Sequence, residues 1–278
     1  MQKQIFVLVL GSAVLLLTGL GCQTEDKRTN PAPTSGDKQS ILGLVYQQQA
    51  AEYRALCLQS YNLAKRRVEE SIRIKKSKEL PLAVVTDLDE TALDNSPYDV
   101  YLYQHDSTYS AASWKQWCDA SVADSIPGSV SFFNYVNSRK IDIFYVSNRA
   151  IEVLDTTINN MRKLGFPQLD KSHFYFRTAE SSKEKRRQEI AKTHKIIVLL
   201  GDNLIDLDAR FDKLSTSERR KQTDSLKTQW GDRYIVFPNA VYGDWENALY
   251  YDYQREHAGE RLSQVLKDSI RLSLLHGY

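Results

Sequence analysis

Two aspartates one residue apart, Asp87 and Asp89, follow directly on the apolar run Leu82-Ala83-Val84-Val85, and Glu90 comes next. Carboxylates this close repel, and repulsion beside a buried strand end costs stability unless positive charge sits among them. A second pair, Asp202 and Asp206, lies in Gly201-Asp202-Asn203-Leu204-Ile205-Asp206, again behind an apolar run. Hard oxygen donors in that number, without a His or Cys cluster, suit Mg²⁺ with its waters and a substrate phosphate. The phosphate completes the charge balance, held by the Ser147 hydroxyl, the Lys183 ammonium and nearby backbone N–H groups. Within Asp-x-Asp the two carboxylates can divide the labour. One attacks phosphorus to form an aspartyl-phosphate. The other protonates the leaving oxygen and then takes a proton from water, which contributes roughly 10²- to 10⁴-fold. Alone, Asp-x-Asp reads as well as a capped strand end or a Ca²⁺ site; the Ser, Lys and Gly-Asp-Asn segments in order argue against both.

These residues need elements that bring them together. Leu82–Thr86 is short, β-rich and opened by Pro81, so it reads as a buried strand. A loop-rich insert follows. Beyond it, Val130–Ser138 reads as a helix, Ile141–Val146 as a strand, and Ile151–Leu164 as a helix closed by Gly165 and Pro167. His173–Phe176 is a short strand, Ser182–Thr193 a helix, Ile196–Leu200 a strand, Ser217–Thr228 a helix and Tyr234–Phe237 a strand. Strands alternating with helices predict an α/β fold, a parallel sheet covered on both faces. Ligands of such sheets bind beyond the carboxyl ends of the strands. Asp87, Ser147 and Asp202 fall at three of those ends, and Lys183 opens the helix before the third.

The remaining sequence sets the surroundings. A net charge of +2 over 278 residues predicts no nucleic-acid or membrane-surface partner. Residues 1–22 read as a secretory leader: Lys3, an apolar stretch Ile5–Leu20, then small residues before Cys22. That stretch is interrupted and shorter than the ~20 apolar residues that cross a bilayer. Cysteine in this place resembles a lipobox, with Cys22 lipidated and first in the mature chain. Residues 23–40 are polar, with Pro31, Pro33 and Gly36, and read as a flexible tether. The domain then spans 41–278: a core over about 80–240, with a helical annex from 41–79 and 245–278. Cys57 and Cys118 fit a disulfide or two buried thiols equally well.

The segments DLDETALDNSPY, FYVSNR, GDNLIDLD and PNAVYGDWE, with Lys183 between the second and third, resemble the haloacid dehalogenase superfamily. More narrowly they are similar to class C acid phosphatases, the lipoprotein 5′-nucleotidase family of bacterial outer membranes. The resemblance implies a haloacid dehalogenase-like Rossmannoid sheet, Mg²⁺ as cofactor and a phosphomonoester substrate, a nucleoside monophosphate in particular. It implies Asp87 as nucleophile and Asp89 as acid/base, the latter also offering its backbone carbonyl to the metal. Asp202 becomes a metal ligand, Asp206 supports the metal's water shell and Lys183, and Ser147 and Lys183 grip the phosphate. An aromatic substrate clamp maps onto Trp114 and Tyr242. The family also implies export, a lipid anchor at Cys22 and, commonly, a homodimer. Leu207 stands where Phe is frequent. Rival chemistries fit less well: no His lies in Arg-His-Gly, and Cys-x₅-Arg occurs only as Cys22 and Arg28, in the leader and tether. A phosphotransferase on the same site, or a lipoprotein that binds haem or a nucleotide without turning it over, remains an alternative.

Overall fold

The computed structural model describes residues 35–179 and 181–277. Helices α1 (Ser35–Gln49) and α2 (Ala51–Ile74) lead into strand β1 (Leu82–Thr86). A ribbon of β2 (Leu93–Asp94) and β3 (Asp124–Ser125) brackets α3 (Ser96–Gln104) and α4 (Ala111–Ala120). The chain continues through α5 (Ser129–Ser138), β4 (Asp142–Ala150), α6 (Leu154–Leu164), β5 (Phe174–Arg177), α7 (Glu184–Ala191) and β6 (Lys195–Gly201). Then come α8 (Leu204–Leu207), α9 (Thr216–Ser225), β7 (Tyr234–Val236) and the tail helices α10 (Asp244–Asn247), α11 (Tyr251–Glu256) and α12 (Gln264–Ser273).

Five strands form one parallel sheet in the order β5-β4-β1-β6-β7. All five residues of β1 are buried, as a central strand covered on both faces requires. Side chains alternate across a strand, so Leu82 and Val84 enter one apolar core while Ala83 and Val85 enter the other. The register matters for function. Thr86 lies opposite Tyr145 of β4 and Leu200 of β6, so Asp87, Ser147 and Asp202 follow within two residues of one level, although β4 itself runs on to Ala150.

Four details differ from the sequence reading or decide between its alternatives. The insert after β1 holds two helices rather than loops: Ser110 accepts a hydrogen bond from the Ser113 amide, and Trp114, Trp117 and Cys118 then recur at helical spacing. Helix α1 begins at Ser35, inside the stretch read as tether, about two turns ahead of Ile41 and the apolar residues after it. Helix α2 lies against β6, β7 and α5, so it is a layer of the core. Its buried Tyr53, Cys57, Tyr61, Ala64 and Val68 follow helical spacing. Cys57 and Cys118 are both buried and free. The leader, Cys22 and most of the tether lie outside the described residues. Among those described, no helix is long and apolar enough to cross a membrane.

Candidate active site

The backbone continues past β1 as if the strand had not ended: the Asp87 amide donates to Leu200 O at 2.9 Å. It then turns sharply, with the amides of Thr91, Ala92 and Leu93 all donating to Leu88 O. Glu90 takes a left-handed conformation in that turn, φ 56°, rare for a residue with a side chain. Its carboxylate explains the arrangement. Fully buried, it accepts from the Asn95 amide at 2.8 Å and from the hydroxyl of Tyr242, far along the chain. Burial first, then Asp89, Asp99 and Asp202, push the Glu90 carboxyl well above its ordinary value.

Asp87, Asp202 and Asp206 each offer a carboxylate oxygen within 4.8 Å of the others. Lys183, at the entry to α7, donates to Asp87 at 2.5 Å and to Asp206 at 2.6 Å. Burial works against the lysine's charge, but Asp206 and Asp87 outweigh it and raise its pKa. Burial pushes Asp87 well above its ordinary value despite Lys183, with Asp206, Asp202 and Asp89 adding to the push. Asp202 is pushed up to about 7 by burial and then by Asp206, while the Asn239 amide, donating at 2.8 Å, pulls the other way. Three carboxylates and one ammonium leave two negative charges in excess. A divalent cation is the matching counter-charge, and the hard oxygens suit it. Gly201 makes the cluster possible, since a Cβ there would stand 2.5 Å from the Cβ of Asp206.

The Asp89 side chain turns away from this cluster. It pairs with Arg149 (Nη2–Oδ1 2.8 Å, Nε–Oδ1 3.0 Å) and accepts from Asn95 Nδ2 at 2.9 Å and Ser147 Oγ at 3.3 Å. Arg149 is buried and also donates to Thr157 of α6 and to Asn95 Oδ1; its guanidinium stands 5.4 Å from the centre of the Trp114 ring. Ser147 is fully buried and does not line the cavity, whereas its neighbour Asn148 does.

An open cavity of about 430 Å³ stands over these strand ends. Asp87, Asp89, Lys183, Asp202 and Asp206 line it, and so do Trp114 from α4 and Tyr242 from the loop after β7. Eight of the nine residues singled out in the sequence are therefore drawn to one place: these seven face the cavity, and Ser147 bonds to Asp89. Cys22 lies outside the described residues. The sequence reading gave no role to Arg149, Asn95, Glu90 or Asn239, although each lies inside a quoted segment. It also missed Asp99 and Tyr109 on the cavity wall. The available signal was a charged or amide side chain in an otherwise apolar strand or turn, where burial demands a partner.

Residues 20–245 match the family described as the HAD superfamily, subfamily IIIB (Acid phosphatase). The chain belongs to that family: a parallel α/β fold with an Asp-x-Asp turn at the end of its central strand, and a phosphomonoester hydrolase. Solved structures narrow the likeness. A class C acid phosphatase from Bacillus anthracis with tungstate bound has a TM-score of 0.80 and 36% identity over 87% of this chain and 98% of that one. A second structure of the class C acid phosphatase from that organism gives 0.79 at the same identity and coverage. Phosphatases of this superfamily use a divalent metal, and the Asp87–Asp202–Asp206 set fits one in charge and donor type.

Proposed function

We propose that the protein is a Mg²⁺-dependent acid phosphomonoesterase that acts on nucleoside monophosphates as a 5′-nucleotidase. The observation that carries the reading is a single cavity bordered by both the carboxylate–lysine cluster and two aromatic side chains, Trp114 and Tyr242. One part suits a phosphate, the other a base. Tungstate bound to the Bacillus anthracis relative is a tetrahedral oxyanion of the same shape class as phosphate.

Asp87 is then the nucleophile, its carboxylate attacking phosphorus while Lys183 holds the phosphoryl oxygens; the Ser147 hydroxyl, read in the sequence as a second phosphate grip, is buried and bonds Asp89 instead. Asp89 protonates the departing ester oxygen and afterwards takes a proton from the water that hydrolyses the aspartyl-phosphate. Asp202, the backbone carbonyl of Asp89 and a carboxylate oxygen of Asp87 would hold Mg²⁺, with Asp206 supporting its water shell. The metal when bound supplies positive charge against the phosphate and the three carboxylates. Export and a lipid anchor at Cys22 belong to the same reading; loss of fatty-acid labelling in Cys22→Ser supports it, and retained label refutes it.

The decisive experiment concerns the base. Each aromatic stack is worth roughly 1–3 kcal/mol, so Trp114→Ala should raise KM for AMP about tenfold or more. Kinetics on a small aliphatic phosphate should scarcely change. Equal losses on both would reduce the protein to a general phosphomonoesterase with Trp114 as packing.

A further inference from the structure

Five aspartates line the cavity, and four are answered: Asp87 and Asp206 by Lys183, Asp89 by Arg149, and Asp202 by Asn239. The fifth, Asp99, has no cation and no hydrogen-bond donor at its side chain among the described residues. An acid in the first turn of a helix complements the helix dipole, and Asp99 has that place in α3. The first amide of that turn is already served, however, since Ser96 N–H donates to Asp94 Oδ1 at 2.9 Å. Burial, followed by the charges of Asp94 and Asp89, pushes the Asp99 carboxyl up to about 7. Its neighbours on the wall are aromatic. Tyr98 meets Trp114 edge to face at 5.1 Å, and the Tyr109 ring centre lies 6.3 Å from that of Trp114.

A carboxyl partly withdrawn from water and without a partner keeps its proton, and takes up charge where a cation answers it. Aromatic faces attract the same kind of group, a cation. The cavity thus has two characters: a cluster that takes phosphate, and an acid among rings that favours positive charge. We propose that Asp99 is a specificity-determining residue which, with Tyr98 and Tyr109, receives a protonated amine on the leaving group of the phosphomonoester, on the side of Trp114 away from Arg149. The inference rests on the cavity being the substrate site, as proposed above.

Two aryl esters of closely similar reactivity provide the test, phenyl phosphate and 4-(2-aminoethyl)phenyl phosphate, which differ by one ammonium. Wild type should favour the amine-bearing ester in kcat/KM by about tenfold, the worth of a partly desolvated cation site. Asp99→Asn should bring that ratio close to one, and Asp99→Glu should restore most of it. Asp99→Ser, neutral and shorter, gives the same measurement if the amide variant does not fold. Wild-type turnover without preference, or a preference that survives the neutral variants, overturns this inference alone. No turnover of either ester by wild type would overturn the substrate-site reading together with it.

Discussion

At the scale of single residues, two aspartates of one short segment face different partners. Asp87 lies against Lys183, and Asp89 is held by Arg149, Asn95 and Ser147. Different surroundings suit different work, and the two amide variants should separate it. Asp87→Asn should remove turnover on every ester, because an amide is a poor nucleophile. Asp89→Asn should lose most on alkyl phosphates and least on p-nitrophenyl phosphate, whose leaving group needs little protonation. Single-turnover rates on both esters check this; wild-type turnover by Asp87→Asn would rule out the covalent route. The carboxylates were legible in the sequence because four acids behind apolar runs demand a counter-charge. Arg149 was not, although it stands in the quoted FYVSNR segment. Nothing in a linear sequence tells that an arginine at a strand end turns inward to meet Asp89, Thr157 and the face of Trp114.

At the scale of elements, α9 and the tail are tied through one carboxylate. Glu218 accepts from the Ser215 amide at 2.7 Å, completing a capping box, and from Arg255 of α11 at 2.9 Å. The Arg255 hydrogen bond, then the Ser215 amide, lowers its pKa to about 2. The sign follows directly: a carboxyl depressed in the folded state adds stability above its ordinary value, and loses it as pH falls through the folded one. Glu218→Gln should therefore melt below wild type at pH 7. The gap should narrow as pH falls from 4.5 toward 2, and close only below that, as melting curves across the range would reveal. High salt should shrink it as well, since the pair is exposed. Strands and long helices were legible because buried parallel strands are continuous apolar runs and amphipathic helices repeat. The insert helices were not. SPYDVYLYQ and AASWKQWCDA mix aromatic with polar residues on short segments, and what fixes them is tertiary: Trp117 Nε1 bonding Asn95, and Tyr98 against Trp114.

At the scale of the whole molecule, the uncompensated charge of Asp87, Asp202 and Asp206 makes stability a function of metal. A ligand present at 100 times its dissociation constant adds about 2.7 kcal/mol. For a domain of this size that is a rise in melting temperature of roughly 5–10 °C. Saturating Mg²⁺ should raise the melting temperature by that order over an EDTA-treated sample, and Asp202→Ala should flatten the response. No difference between metal-loaded and stripped wild type would speak against the cluster as a cation site. The strand order has a further consequence. β1 is the middle of the sheet, yet its partners are residues 142–145 on one edge and 195–200 on the other. Neither edge of the central strand can be satisfied until a long loop has closed, and the second loop spans more than a hundred residues. Loop closure of this kind is entropically costly before any contact repays it, which makes parallel sheets slow to form. Asp87 and Asp202 meet only when that last long-range pairing is made. A chain interrupted before β6 thus carries its nucleophile beside an open strand edge, apt to pair with other chains and unable to work.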